Sequence, residues 1–267
     1  MLQTHINKLM TNEKTLILAY DQGLEHGPSA DFNLKNVDPQ YVIDIADKGR
    51  YNALVLHNGV AEKYYHNGSH KVPLIVKLNG KTNIPKVEPY AGLLCSIKRA
   101  VNIGAQAVGY TVYIGSSHEA EMFSQFSKIV EEAHDYSIPV VMWAYPRGQS
   151  VANPLATEVL AHAARVGLEL GADFVKINYN NDIEAFRWVV EAAGRARVVV
   201  AGGERMGDKE FLSKTRDVLE AGAAGIAVGR NVWQNEHPFL MTQALKKVIF
   251  EGKGVDEAMK VFEQYSE

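Results

Sequence analysis

Short apolar runs alternate with longer amphipathic stretches along the whole chain. The apolar runs are Leu16–Tyr20, Ala53–Leu56, Leu74–Leu78, Ala107–Tyr113, Pro139–Tyr145, Asp173–Ile177, Arg197–Ala201 and Gly225–Val228. Each is aliphatic and bounded by Gly, Pro, Asn or Asp, the pattern of strands buried on both faces. Between them, helical spacing predicts helices over Pro39–Arg50, Ala91–Ile103, Glu119–His134, Leu155–Leu170, Asp182–Ala193, Lys209–Glu220 and Phe239–Glu251, and a shorter one over Val60–His66. Gly104, Gly171, Gly194 and Gly222 stand where helices should end. A further helix, Val255–Tyr265, follows the last unit. These strand–helix units run through 267 residues without a linker or low-complexity tract, which predicts one domain, residues 1–267. The expected fold is an α/β (β/α)8 TIM barrel with an extra C-terminal helix. An open, doubly wound sheet is the competing arrangement, but no Gly-x-Gly-x-x-Gly follows the first strand.

The barrel reading directs attention to the C-terminal ends of the strands, where such folds keep their chemistry. Alternate strand residues face opposite sides. In the sixth run Val175 and Ile177 form the purely apolar face that should meet the helices, so Phe174, Lys176 and Asn178 turn inward. The same parity turns Trp143, Tyr145 and Arg147 inward in the fifth run, Lys77 in the third, and Asp21 with Ile17 and Ala19 in the first. Two lysines, a tyrosine and an aspartate thus converge at one end of the barrel. A buried Asp21–Lys77 ion pair without a chemical role is the bland alternative, since lysines are rarely buried unpaired. The chemical alternative is a nucleophilic amine. Desolvation and a neighbouring ammonium lower a lysine pKa, and the neutral amine then attacks a carbonyl to form a Schiff base. Parity does not choose between Lys77 and Lys176. Tyr145 and Asp21 are the expected proton carriers.

The seventh run leads into Ala201-Gly202-Gly203-Glu204-Arg205, and the eighth into Gly229-Arg230-Asn231. Loops after strands seven and eight are the usual phosphate cradle of this fold. Gly202, Gly203 and Gly229 let backbone N–H groups approach an anion, and Arg230 adds a charged fork.

Composition narrows the function classes. With 46% hydrophobic and 22% charged residues the chain is ordinary globular protein, not disordered or fibrous. A net charge of −3 without basic runs argues against nucleic acid or a membrane surface as partner. The single Cys95 excludes an internal disulfide, and it is expected in the core. No apolar stretch is long enough to span a membrane, and Met1–Lys14 lacks the apolar core of a secretory signal. A soluble cytoplasmic protein is therefore expected. Asn67-Gly68-Ser69 fits a glycosylation acceptor on paper only. The nine histidines are scattered without metal-ligand spacing, so no metal is expected and a zinc-dependent enzyme is disfavoured.

Several of these segments resemble one family. Leu18–Pro28, reading Leu-Ala-Tyr-Asp-Gln-Gly-Leu-Glu-His-Gly-Pro, is similar to the first-strand signature of the archaeal-type class I fructose-bisphosphate aldolases. Met142–Gly148 resembles their fifth strand, Ala172–Asn178 their Schiff-base strand, and Leu74–Gly80 and Thr111–Ser116 also match. The resemblance spans essentially the whole chain. It implies reversible cleavage of fructose 1,6-bisphosphate to dihydroxyacetone phosphate and glyceraldehyde 3-phosphate, in glycolysis and gluconeogenesis, without a cofactor. It makes Lys176 the Schiff-base lysine, Tyr145 the proton donor, Asp21 the acid/base partner at the carbinolamine, and Trp143 a wall of the sugar site. It also implies a ring-shaped homo-oligomer, often a decamer. Relatives often carry Ser-Gly-Gly and then Lys after strand seven, where this chain has Ala201 and then Glu204-Arg205, so a phosphate-binding hydroxyl is missing. A Schiff-base carboligase acting on another phosphorylated ketose, such as an aminodideoxyheptulosonate synthase, is the alternative. Those enzymes usually carry Asp-His-Gly in the first strand, without the Leu-Glu-His-Gly-Pro run.

Three residues keep two readings each. His26 in the first loop is a substrate contact or a loop stabiliser. Arg147 is a second phosphate ligand or half of a salt bridge. Ser117, before the helix that follows strand four, is expected to be its N-cap.

Overall fold

The computed structural model describes residues 1–28, 31–65 and 70–263. Eight parallel strands close a barrel: β1 Thr15–Ala19, β2 Ala53–His57, β3 Leu74–Lys77, β4 Ala107–Ile114, β5 Val140–Pro146, β6 Phe174–Ile177, β7 Arg197–Ala201 and β8 Gly225–Val228. Each strand pairs with its neighbours in chain order, and β8 pairs with β1. The structure thus has the expected closed barrel rather than an open sheet. Among the described residues no helix is long and apolar enough to cross a membrane.

Two cores follow from the period of two. Leu16, Leu18, Leu54, Leu56, Val175 and Ile177 face outward into the layer beneath the helices. Ile17, Ala19, Val55, Ile75, Val141, Trp143, Phe174, Val199 and Ala227 fill the barrel itself. One element the sequence reading missed seals the other end. The helix Leu2–Lys8 and the turn after it place Ile6 and Leu9 against the inner core, and Thr15 Oγ1 donates to the Leu9 carbonyl at 2.7 Å. One amphipathic turn carries too little periodic signal to be read from spacing alone.

Most predicted helices stand within a residue or two of their expected bounds. Gly104, Gly171, Gly194 and Gly222 all adopt the positive φ expected beyond a helix end. The expected helix over Val60–His66 runs Asn58–Tyr64, and the last helix runs Val255–Glu263; His66, the Asn67–Ser69 motif and Tyr265 lie outside the described residues. The expected helix Ala91–Ile103 is a correction, because only Ile97–Ile103 is helical. Gly92–Leu93 instead pair antiparallel with Asn79–Gly80, and the Leu94 and Cys95 amides donate to the Leu78 carbonyl. Buried Asn79 locks this ribbon. Its Nδ2 donates to the Ala91 and Thr111 carbonyls, and its Oδ1 accepts from the Thr111 amide. With those backbone groups already matched, the helix starts at Ser96, whose side chain accepts from the Arg99 amide. Cys95 is buried as expected, but it lies just ahead of the helix. Ser117 is a second correction. The N-cap is His118, without a side-chain cap, while Ser116 Oγ accepts from the His118 amide and Glu119 accepts from Gly115.

The inner core leaves little room at Gly109, in register with both Lys77 and Val141. A Cβ there would fall on the six-membered ring of Trp143. Gly109→Ala should therefore displace the indole and cost about 1–3 kcal/mol, as overpacking does. Urea denaturation followed by Trp fluorescence measures it, and an unchanged midpoint would mean that the indole has slack.

Candidate active site

One cavity opens at the C-terminal ends of the strands, and every residue singled out from the sequence lines it. Asp21 follows β1, and Lys77 ends β3. Trp143 and Tyr145 come from β5 with Arg147 just beyond, and Lys176 from β6. Gly202 and Gly203 follow β7, and Gly229 and Arg230 follow β8. His26 arrives on the short helix Gln22–His26 together with Gln22 and Glu25. Thr111 and Asn178 complete the inner wall. Both were within reach of strand parity, since Asn178 shares the Lys176 face and Thr111 stands in register with Trp143.

The two lysines are both buried but are held differently. Lys77 Nζ donates to the Asn79 carbonyl at 3.3 Å and lies 4.0 Å from Asp21 Oδ2. Lys176 Nζ sits 4.8 Å from the centre of the Trp143 ring, with Lys77 Nζ 5.1 Å from it, so the indole touches both amines. Among the described residues Lys176 has no hydrogen bond or ion pair, and its amine is the uncommitted one. Burial drives both lysines below their ordinary range. Lys77 is pushed down to about 8, with Lys176 adding to the shift and Asp21 opposing it. For Lys176 burial is opposed by Asp21 and Glu25. Burial alone would raise Asp21, but Lys176, Lys77 and His57 outweigh it and keep the carboxyl below the usual carboxylate range.

His57 went unnoticed in the sequence. It ends β2 in register with Lys77, and burial followed by the Lys77 charge pushes it down to about 4. It is therefore a neutral ring beside the Asp21–Lys77 pair at neutral pH. Burial, and then Asp21, raise the Tyr145 phenol well above its ordinary value, so Tyr145 holds its proton.

The outer rim is built from arginine–carboxylate pairs. Arg147 Nη1 donates to Glu25 Oε1 at 2.8 Å, and its guanidinium lies 5.6 and 5.4 Å from the Tyr113 and Tyr145 rings. Arg230 Nη1 donates to Asp31 Oδ1 at 3.3 Å, and Asp31 Oδ2 lies 2.9 Å from His26 Nδ1. Arg147 forms the salt bridge that was one of its two readings, and His26 the loop contact that was one of its own. Burial would raise Asp31, but His26 and Arg230 hold it below the usual carboxylate range.

The glycine turns are tied together by a residue the sequence reading did not single out. Buried Asn231 donates through Nδ2 to the Gly202 carbonyl at 3.2 Å and the Glu204 carbonyl at 2.8 Å, and its Oδ1 accepts from the Met206 amide. The β7 and β8 loops are thus one unit. Gly203 has φ +79°, a left-handed conformation that favours glycine. A Cβ on Gly229 would collide with the Gln22 side-chain amide. Among the described residues no three His, Cys, Asp or Glu side chains are grouped to hold a metal ion.

Comparison with known proteins agrees with this geometry. Residues 15–235 match the family described as DeoC/LacD family aldolase. A fructose-bisphosphate aldolase class 1 of Thermoproteus tenax is 47% identical over 93% of this chain and 94% of its own length. A protein of the same description from Halobacterium salinarum is 44% identical, covering 92% and 94% respectively. A solved archaeal fructose-1,6-bisphosphate aldolase, with its catalytic lysine covalently bound to the carbinolamine intermediate of the substrate, superposes with a TM-score of 0.88 at 42% identity. That match covers 93% of this chain and 99% of the other.

The electrostatics give a signed expectation. Labelling of Lys176 by a small amine reagent, mapped by mass spectrometry, should rise with pH through a midpoint below the ordinary 10.5. Asp21 favours the ammonium form, so Asp21→Asn should move that midpoint lower still. An upward shift would contradict the charge arrangement.

Proposed function

The chain belongs to the DeoC/LacD aldolase family, and from that premise we propose that it is a class I fructose-bisphosphate aldolase. It cleaves fructose 1,6-bisphosphate to dihydroxyacetone phosphate and glyceraldehyde 3-phosphate and runs the condensation in reverse. The observation that carries the reading is the buried Lys176 amine, depressed in pKa and without a hydrogen-bond or ion-pair partner among the described residues.

The chemistry then proceeds on this chain's own side chains. Neutral Lys176 Nζ attacks the ketone carbon, and the new C–N bond gives a carbinolamine. Asp21, facing both amines, passes the proton that lets water leave, and an iminium remains. The iminium draws in the electron pair of the C–C bond one carbon away, between its α and β carbons, as the hydroxyl on the departing carbon gives its proton to the Asp21 carboxylate. That bond breaks, glyceraldehyde 3-phosphate departs, and an enamine stays on Lys176. The phenol of Tyr145 delivers a proton to the enamine carbon, and water then hydrolyses the iminium to release dihydroxyacetone phosphate. The iminium is the electron sink, the part a metal ion plays in other enzymes. Lys77 keeps its positive charge near Asp21 and the substrate oxygens, and Trp143 packs against both amines. Gly202, Gly203, Gly229 and Arg230 receive one phosphate, with His26 beside Arg230 on the shared Asp31, and Arg147 stands ready for the other.

The same reading puts the enzyme in the cytoplasm, in glycolysis and gluconeogenesis, as a homo-oligomer. Exposed Ile84, Val87, Leu93 and Leu94 on the segment after β3, together with Trp188, support contact between copies.

Borohydride added with dihydroxyacetone phosphate should fix the label on Lys176, and a label on Lys77 would reverse the assignment of the two lysines. Tyr145→Phe keeps the ring and should still trap an imine. It should slow exchange of the carbon-bound proton of dihydroxyacetone phosphate by about 10²–10⁴-fold. Exchange at the wild-type rate would make Tyr145 a packing residue.

A further inference from the structure

The turn Gly202–Gly203 carries no hydroxyl and is followed by a carboxylate, Glu204. The Gly202 amide is already spent on the Ala227 carbonyl at 3.0 Å, so a phosphate dianion seated on the Gly203 side of the turn, beside a carboxylate, needs a cation close by. The neighbouring cation in sequence is Arg205, and it is occupied. Its guanidinium donates to the Met206 carbonyl and, at 2.8 Å, to Asp208 Oδ1. Arg230, on the adjoining β8 loop, is paired with Asp31.

Another cation approaches the turn from below. Lys214 stands on the helix Asp208–Glu220, and its Nζ lies 3.4 Å from the position a Cβ on Gly203 would take. It is half-buried, and among the described residues it makes no hydrogen bond or ion pair. It lines the pocket beside the site cavity with Glu204, Glu210 and Asp217, and Glu210 attracts its ammonium without pairing with it. Gly203 thus has two reasons to be glycine: its left-handed φ, and the space Lys214 occupies.

We propose that Lys214 is the cation that binds the phosphate seated on the Gly202–Gly203 turn, supplying from the helix the contact that the turn itself lacks. The inference rests on the aldolase reading and extends it. Lys176 and Val199 are in register on β6 and β7, and the turn begins three residues beyond Val199. The phosphate in question is therefore the one a single carbon away from the carbonyl that meets Lys176. Burial lowers the Lys214 pKa, with Glu210 opposing the shift, and a dianion beside the amine restores its charge.

The test compares two ketones in borohydride trapping, dihydroxyacetone phosphate and phosphate-free dihydroxyacetone. Lys214→Met keeps the stem packed and removes the charge. Loss of one charge-assisted contact should raise the half-saturating concentration of dihydroxyacetone phosphate about tenfold or more, and leave dihydroxyacetone unchanged. Lys214→Arg should recover most of the loss. Inorganic phosphate binding, measured by calorimetry on the unmodified and variant proteins, should weaken in parallel. If Lys214→Met misfolds, Lys214→Gln takes its place in the same comparison. Equal loss for both ketones, or no loss for either, would overturn the proposal. Absence of any imine in the unmodified protein would instead overturn the aldolase reading, while phosphate calorimetry would still decide the role of Lys214.

Discussion

One buried carboxylate faces two buried amines, and the rest of the site depends on that imbalance. Removing an ion from water costs several kcal/mol even after relaxation, and only a close opposite charge offsets it. Asp21 can balance one ammonium. Lys77 is the better placed for it, with Asp21 at 4.0 Å and the Asn79 carbonyl as a second acceptor. Lys176 lies on the face of Trp143 and feels the Asp21 and Glu25 charges without a direct ion pair or hydrogen bond. Both amines are therefore held below the ordinary lysine range and give up a proton more readily than a free lysine. A neutral amine with no competing hydrogen bond is a nucleophile, so charge bookkeeping inside the barrel and catalytic competence are the same fact.

That arrangement was largely legible in the sequence because a β-strand is the simplest ruler a chain provides. Two-residue periodicity turned Asp21, Lys77, Trp143, Tyr145 and Lys176 inward, and the closed barrel brought all of them to one cavity. Parity did not separate the two lysines. The distinction comes from the Asn79 carbonyl, on a ribbon whose register is set by side-chain-to-backbone bonds between distant segments. The resemblance implies Lys176, and of the two amines it is the one that makes no hydrogen bond among the described residues.

What the sequence concealed has a common cause. The helix Leu2–Lys8, the Asn79–Leu93 ribbon, the clamp made by Asn231 and the neutral ring of His57 are all single-turn or single-residue features. Each is fixed by partners far along the chain rather than by a repeating pattern. The overextended helix at Ala91 shows the same limit from the other side. Residues 91–95 carry helical spacing, but their backbone groups were already satisfied by β-type pairing, and Ser96 was the stronger start signal. Ser117 lost the cap role because Glu119 and Ser116 met the nearby amides first.

The rim arginines raise the last question of magnitude. Both have their charges paired, Arg147 to Glu25 and Arg230 to Asp31. A substrate phosphate must compete with those carboxylates. The Arg147–Glu25 pair is partly solvated, with 44% and 25% of the side chains exposed, and such pairs contribute only about 0–1 kcal/mol. A dianionic phosphate offers more charge and more acceptor oxygens, and it matches the guanidinium fork as well as a carboxylate does. Displacement at that rim is therefore inexpensive. The Arg230–Asp31 pair is more enclosed, at 16% and 21% exposure, and Asp31 is also held by His26. Opening it costs more, so an arginine already engaged there serves the phosphate less well than an uncommitted amine would. The cavity thus pairs its charges at the rim and, at the centre, pairs Lys77 with Asp21 while Lys176 makes no hydrogen bond or ion pair among the described residues.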